Sequence, residues 1–163
     1  MSIKKFVIFH TLIATLLMAA HIDCYAQPSV DVESSMSDIV KKHEKSKGVS
    51  CMKVVKGKGL EMLKMMFNRE FGKDFMKGVT SISIIDYSDA SEETCMSIHK
   101  DLDAFMSLLQ EFDVSKEKQF SDNNYIRCFA SEPESGTLSD FVIALENNKS
   151  KMVMYMAGKI VVE

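Results

Sequence analysis

The chain has 163 residues, with 20 lysines and arginines against 23 aspartates and glutamates, so its formal net charge is −3. This length fits one domain that buries a single core. A mildly acidic chain with scattered lysines gives no electrostatic reason to expect nucleic acid or an anionic lipid surface as a partner, and we expect no nucleic-acid binding.

The first 26 residues have the layout of a secretory signal peptide. Two lysines at 4–5 give a positive start, an apolar run follows over 6–20, and small residues precede position 27. The apolar run is too short to span a bilayer comfortably. We therefore expect cleavage between Ala26 and Gln27, a periplasmic or secreted protein, and no stable membrane span after cleavage.

The cysteines bear on anchoring and on redox state. Cys24 lies where a lipoprotein cysteine would be. Lipoprotein processing requires small residues directly before that cysteine, but Asp23 occupies this position, so simple cleavage is favoured over lipidation. Removal of the signal peptide leaves Cys51, Cys95 and Cys128, and no C-x-x-C pair indicates a redox or zinc site. These three fit either one disulfide with one free thiol or three buried thiols.

Three helices are predicted in the rest of the chain. A polar lead-in over 27–34 precedes a single domain over 35–163. Within it, apolar residues recur at spacings of three and four, the signature of helices with one buried face. This periodicity places the helices over 35–47, 60–77 and 92–112.

Six strands are predicted between and after these helices. β-Branched and aromatic runs bounded by turn compositions place them over 49–55, 79–87, 114–120, 125–131, 138–146 and 151–162. The element order α-β-α-β-α-β-β-β-β predicts a two-layer α+β domain, with three helices on one face of a mostly antiparallel sheet. The first two strands are joined by a helix, so parallel pairing between them is an open alternative.

One constellation on the third predicted helix has the spacing of metal ligands. Cys95, His99 and Asp103 lie four residues apart and so stack along one helix face. The same Cys95 and His99 could pair as a thiol nucleophile and its base, although no orienting group or oxyanion donor accompanies them. The alternative is a packed helix with a histidine at the edge of its buried stripe.

Methionine is unusually frequent, with 13 residues in the chain. Three methionines cluster on the second predicted helix, and three alternate along the last predicted strand and so share one face. Thioethers select Cu(I), line adaptable interaction surfaces, or fill gaps in a core, and core filling is the simplest of these interpretations. The candidate ligand- or partner-binding residues are Met62, Met65, Met66, Met152, Met154 and Met156.

Several segments carry a family resemblance in their order along the chain. They are VVKG at 54–57 leading into LEML at 60–63, VTSISIID at 79–86, YIRCFA at 125–130, and the end strands at 141–145 and 152–160. Over 35–160 the chain resembles the bacterial domain of unknown function 4252 family, which consists of short exported proteins. The resemblance implies export and this fold, and it implies no activity, catalytic residue or cofactor.

From these observations we expect a non-enzymatic protein of the cell envelope that binds a partner or small ligand and needs no cofactor. The sheet face and the methionine-rich second helix are its candidate binding surfaces. The alternative is a Cu(I)-handling protein or a small hydrolase, built around Cys95 and His99 or around the methionines.

Overall fold

A computed structural model describes residues 32–112, 124–131 and 137–161. The described residues form three helices, namely α1 (Val32–His43), α2 (Lys58–Phe71) and α3 (Glu92–Met106). They also form six strands: β1 (Ser50–Val55), β2 (Gly78–Asp86), β3 (Gln110–Phe112), β4 (Asn124–Ala130), β5 (Thr137–Asn147) and β6 (Ser150–Val161). The predicted signal peptide, Cys24 and the cleavage position lie outside the described residues.

The six strands form one sheet in the order β1-β2-β6-β5-β4-β3, and every neighbouring pair is antiparallel. The α+β class and the order of elements are therefore confirmed. Parallel pairing of the first two strands is wrong, because Val55 at the end of β1 faces Ser81 near the start of β2. The chain leaves β1 and enters β2 at the same end of the sheet, which requires antiparallel strands.

Helices cover both faces of this sheet. Side chains of α1 and α3 share a buried cluster with Val153 and Tyr155 of β6. Side chains of α2 share a second cluster with Met154 and Met156, which point to the opposite face of the same strand. The expectation that all three helices lie on one face is thus wrong for α2. The middle parts of β5 and β6, over 141–145 and 152–157, are apolar at every position, as strands buried on both sides are.

The predicted third helix is too long at its C-terminal end. The helix ends at Met106, and Gln110–Phe112 instead pairs with β4 as the edge strand β3. Arg127 of β4 donates two hydrogen bonds to Glu111, at 2.8 and 3.0 Å, and stabilises this pairing. Tertiary strand pairing therefore overrides the helical periodicity there. The strand predicted over 114–120 lies outside the described residues.

Two glycines permit a close approach of β2 and β6 beside a β-bulge. The register of this pair shifts between Val79 and Ser81. Gly158 has φ +94°, and a Cβ atom built on it would lie 2.3 Å from the carbonyl oxygen of Gly78. Only glycine fits there, because any other residue adds a clash to a backbone conformation that L-residues rarely adopt.

Replacing Gly158 with alanine should lower the free energy of unfolding by more than about 2 kcal/mol, since it adds both a clash and a strained backbone. Urea denaturation followed by circular dichroism measures this loss. The matched control is Gly59→Ala in α2, where the new Cβ only touches a Val54 methyl at 3.4 Å. That change should leave the free energy of unfolding at the wild-type value or raise it by up to about 1 kcal/mol. An equal loss of stability in both variants would contradict the interpretation.

A partly buried ion-pair cluster joins α1 to α3. His43, only 3% exposed, lies with Nε2 2.6 Å from Asp101 Oδ2, and Lys42 Nζ donates to the same carboxylate at 2.7 Å. Burial acts to raise the pKa of Asp101, but the hydrogen bonds and positive charges of Lys42 and His43 outweigh it and lower that pKa below its ordinary value. The folded state therefore favours the ionised carboxylate.

Asp101→Asn should destabilise the protein by about 1–3 kcal/mol at neutral pH, the range for hydrogen bonds to charged groups. The lowered pKa means that the stabilisation is present above the unfolded carboxyl value of about 3.9 and is lost as the pH falls through the folded-state pKa. Urea titrations of both proteins across the acidic range should show the difference shrinking. The exposed Asp38→Asn serves as control, and a pH-independent difference would refute the linkage.

Candidate functional site

The three predicted metal ligands on α3 do not converge. Cys95 is 5% exposed, and its Sγ lies 3.8 Å from the main-chain oxygens of both Tyr87 and Ala90. His99 and Asp103 instead line a cleft that Cys95 does not reach. Within the described residues, no group of three or more histidine, cysteine, aspartate or glutamate side chains is placed to hold a metal ion. The predicted Cys95–His99–Asp103 site is not formed, because the thiol belongs to the buried stripe of the helix.

The cleft has a volume of about 170 Å³ and lies between α3 and strands β4–β6. We call it the His99 cleft. Its floor is apolar and its polar side chains come from three different elements, α3, β4 and β5. The lining residues are Tyr87, His99, Leu102, Asp103, Met106, Arg127, Ala144, Leu145, Glu146 and Val153.

His99 has an unfilled hydrogen-bonding position. Its ring packs edge-on against Tyr87, with centroids 5.4 Å apart and planes at 83°. The side chain is 35% exposed, yet Nε2 itself is buried, lies 3.5 Å from Glu146 Oε1, and makes no hydrogen bond to any described group. A buried polar nitrogen without a partner is rare in folded proteins and calls for an explanation.

Of the charged groups around the cleft, Arg127 is hydrogen-bonded to an acidic neighbour, whereas Asp103 and Glu146 lie farther from their basic neighbours. Arg127 is held by Glu111 and stacks over Phe129, with its guanidinium carbon 4.8 Å from the ring centroid. Asp103 is only 4.0 Å from Arg127, and Glu146 is 4.0 Å from Lys151 Nζ. These distances exceed hydrogen-bond length. The carboxylates of Asp103 and Glu146 therefore keep oxygen atoms available to a cationic ligand.

Tyr87 contributes a neutral aromatic wall. Burial, together with the negative charge of Glu146, raises the pKa of Tyr87 above its ordinary value. The phenol therefore stays protonated through the physiological range. Tyr87 acts in the cleft as a packing surface for His99 and as a polar group without charge.

The methionines divide into two unrelated sets. Met152, Met154 and Met156 share one face of β6, as expected, and are at most 1% exposed. Their cross-strand neighbours include Ile82, Ile84, Phe141 and Ile143, so the thioethers fill the core between apolar groups. On α2, Met62 and Met65 are 56% and 67% exposed and Met66 is half-buried. The strand and helix methionines do not form one binding site.

Sequence reasoning found only the part of the cleft that lies on α3. The spacing of His99 and Asp103 is readable because both residues are on one helix. Glu146, Arg127 and Tyr87 were missed, since they come from separate strands and strand ends and meet His99 only through the pairing of β4, β5 and β6. A lone Glu or Arg in a predicted strand carries no such signal.

The cysteines give a direct test of these placements. Cys51, Cys95 and Cys128 are free thiols, and Cys51 is the least buried of them. Burial raises the pKa of Cys128 and, with the charge of Glu44, that of Cys51. Iodoacetamide should label Cys51 slowly in the native protein and reach Cys95 and Cys128 only after denaturation. Mass spectrometry of each cysteine peptide measures this, and native labelling of Cys95 at the rate of Cys51 would contradict it.

Comparison with known proteins adds no family to this geometry. No family model matches the chain, and no curated protein or solved structure shows significant similarity to it. The resemblance to the domain of unknown function 4252 family stays a prediction. A functional proposal for this protein therefore depends on the His99 cleft and the surfaces around it.

Proposed function

We propose that this chain is an exported, non-enzymatic binding module of the bacterial cell envelope, and that the His99 cleft takes up a small ligand bearing an amine. Export depends on the segment 1–26, with its two lysines and short apolar run. The observation that carries the ligand proposal is the buried Nε2 of His99, which makes no hydrogen bond to the described groups and lies 3.5 Å from Glu146 Oε1.

An ammonium group matches the polar side of the cleft. A neutral imidazole with its proton on Nδ1 presents a lone pair at Nε2, and an ammonium group has three donors and no acceptor. Because Nε2 is buried 3.5 Å from Glu146 Oε1, an ammonium group reaches it only when the His99 ring turns toward the cleft, where the ammonium would donate to the nitrogen and to the carboxylate at the same time. Charge-assisted hydrogen bonds of this kind are about twice as strong as neutral ones. The exposed carboxylate of Asp103 also lines the cleft, where the Arg127 guanidinium 4.0 Å away partly offsets its charge.

The apolar floor limits the rest of the ligand. Leu102, Met106, Ala144 and Val153 present aliphatic surface beneath the polar groups. A volume of about 170 Å³ is close to the ~150 Å³ cavity that holds a benzene-sized molecule. The cleft therefore fits a short alkyl chain or single ring joined to the amine, and it is smaller than the sites that take drug-sized ligands.

Binding is better supported than catalysis by the position of the reactive groups. The Cys95 thiol is engaged with main-chain oxygens, away from the cleft lining. Tyr87 stays protonated because its pKa is raised. The His99–Glu146 pair thus faces the cleft without a nucleophile beside it in the described structure, and its chemistry is the recognition of a donor.

Butylammonium should bind in the cleft and shift the amide NMR signals of α3 and β5, whereas 1-butanol, its neutral counterpart, should bind more weakly. Glu146→Gln removes the charge while keeping the shape, and it should weaken butylammonium binding about tenfold or more, the loss expected for a hydrogen bond to a charged group. His99→Phe keeps the aromatic contact with Tyr87 and should also weaken binding, because it removes the acceptor nitrogen.

The matched control is Glu93→Gln, which makes the same charge change on an exposed residue in the first turn of α3. It should leave the dissociation constant within about twofold, since a surface charge beyond a Debye length is largely screened. Equal weakening by Glu93→Gln and Glu146→Gln, or equal binding of butanol and butylammonium, would refute the proposal.

A further inference from the structure

The charge of this protein is distributed unevenly between its two helical layers. The segment 56–77, which contains α2, has six basic and three acidic residues and a formal charge of +3, whereas the whole chain carries −3. On the other face of the sheet, α1 carries no formal net charge, and α3 contains four carboxylates and one lysine, a formal charge of −3. The mild overall acidity therefore conceals a cationic side and an acidic side.

The outward side of α2 combines this charge with exposed apolar groups. Lys58, Met62, Met65 and Arg69 recur at helical spacing, opposite the buried stripe of the same helix, and we call them the α2 outer face. All four are exposed, and both methionines are more than half exposed. Exposed methionines are unusual on the solvated side of a helix, which normally carries charged and polar residues, and here they lie among Lys58, Arg69 and the exposed Glu61.

More lysines extend this surface beyond both ends of the helix. Lys56 precedes α2, while Lys73 and Lys77 follow it, and all three are exposed. The helix has 14 residues and is therefore about 21 Å long. The cations thus span the helix and both of its flanks along the sequence, with Glu61 and Asp74 among them, and Asp74 lies 3.6 Å from Lys77. Cations spread in this way fit an extended negative surface better than a single anionic group.

We infer that the α2 outer face docks on an anionic lipid surface, with its basic residues at the phosphates and Met62 and Met65 at the boundary between headgroups and acyl chains. Each basic residue near such a surface raises the affinity for the membrane about fivefold. The long unbranched methionine side chains add apolar contact, as in helices that lie on membranes. Within the described residues, no helix is long and apolar enough to cross a membrane, and this surface contact does not require one.

The acidic layer supports a single orientation on the membrane. Negative lipids repel α3 and attract α2, and these helices lie on opposite faces of the sheet. Docking through α2 consequently leaves the His99 cleft, which α3 lines, facing away from the lipid. This inference goes beyond the proposed ligand binding and does not depend on it.

Vesicle co-sedimentation tests the docking with the full chain. Vesicles of one part phosphatidylglycerol to two parts phosphatidylcholine should bind the protein, and Lys58→Glu/Arg69→Glu should weaken that binding at least about tenfold. The matched control, Lys45→Glu/Lys47→Glu, makes the same charge change at exposed residues after α1, and it should weaken binding less than about threefold. Met62→Ser/Met65→Ser should also weaken binding and leave its salt dependence unchanged.

Three results would overturn the inference. Equal binding to pure phosphatidylcholine vesicles would assign the interaction to the apolar segment 6–20. Equal weakening by both charge reversals would assign the interaction to the net charge of the protein. An absence of binding by the wild type would exclude the docking outright. Unchanged circular dichroism spectra show that the variants fold. Glu146→Gln should leave vesicle binding intact, so failure of ligand binding and failure of docking are distinguishable.

Discussion

The burial of both faces of strand β6 is the constraint on which the rest of this structure depends. Its even-numbered methionines enter one core, and its odd-numbered residues, including Val153 and Tyr155, enter the other. Each core needs its own helical cover, because apolar surface left on either face would stay in contact with water. The separation of α2 from α1 and α3 follows directly from this one strand.

The His99 cleft depends on how α3 is seated on that strand. Phe105 packs edge-on against Tyr155, with ring centroids 5.8 Å apart, and the Tyr155 hydroxyl donates to Asp140 at 2.7 Å. These contacts fix the height and rotation of α3 above the sheet. His99 lies less than two helical turns before Phe105 on the same helix, so it is held facing Glu146. A side chain on a rigid helix keeps the geometry of a binding site.

The same layered arrangement separates the charges of the molecule. A sheet with the basic segment 56–77 on one side and the acidic helix α3 on the other has two surfaces with opposite preferences for partners. The methionines follow the same division by layer: those on β6 are core residues, while Met62 and Met65 are surface residues of α2. One residue type thus has two physical roles, and burial decides which.

The sequence by itself determined the local elements and part of the site. Apolar spacing locates the three helices and most strands, and the four-residue spacing puts His99 and Asp103 on one helix face, because both signals come from neighbours along the chain. Only the tertiary structure decided which face α2 covers, since an unbroken apolar run, such as 152–157 in β6, does not say on which side a helix will pack. It also brought Glu146 and Arg127 to His99, because strand pairing joins residues whose separation in sequence carries no signal of contact.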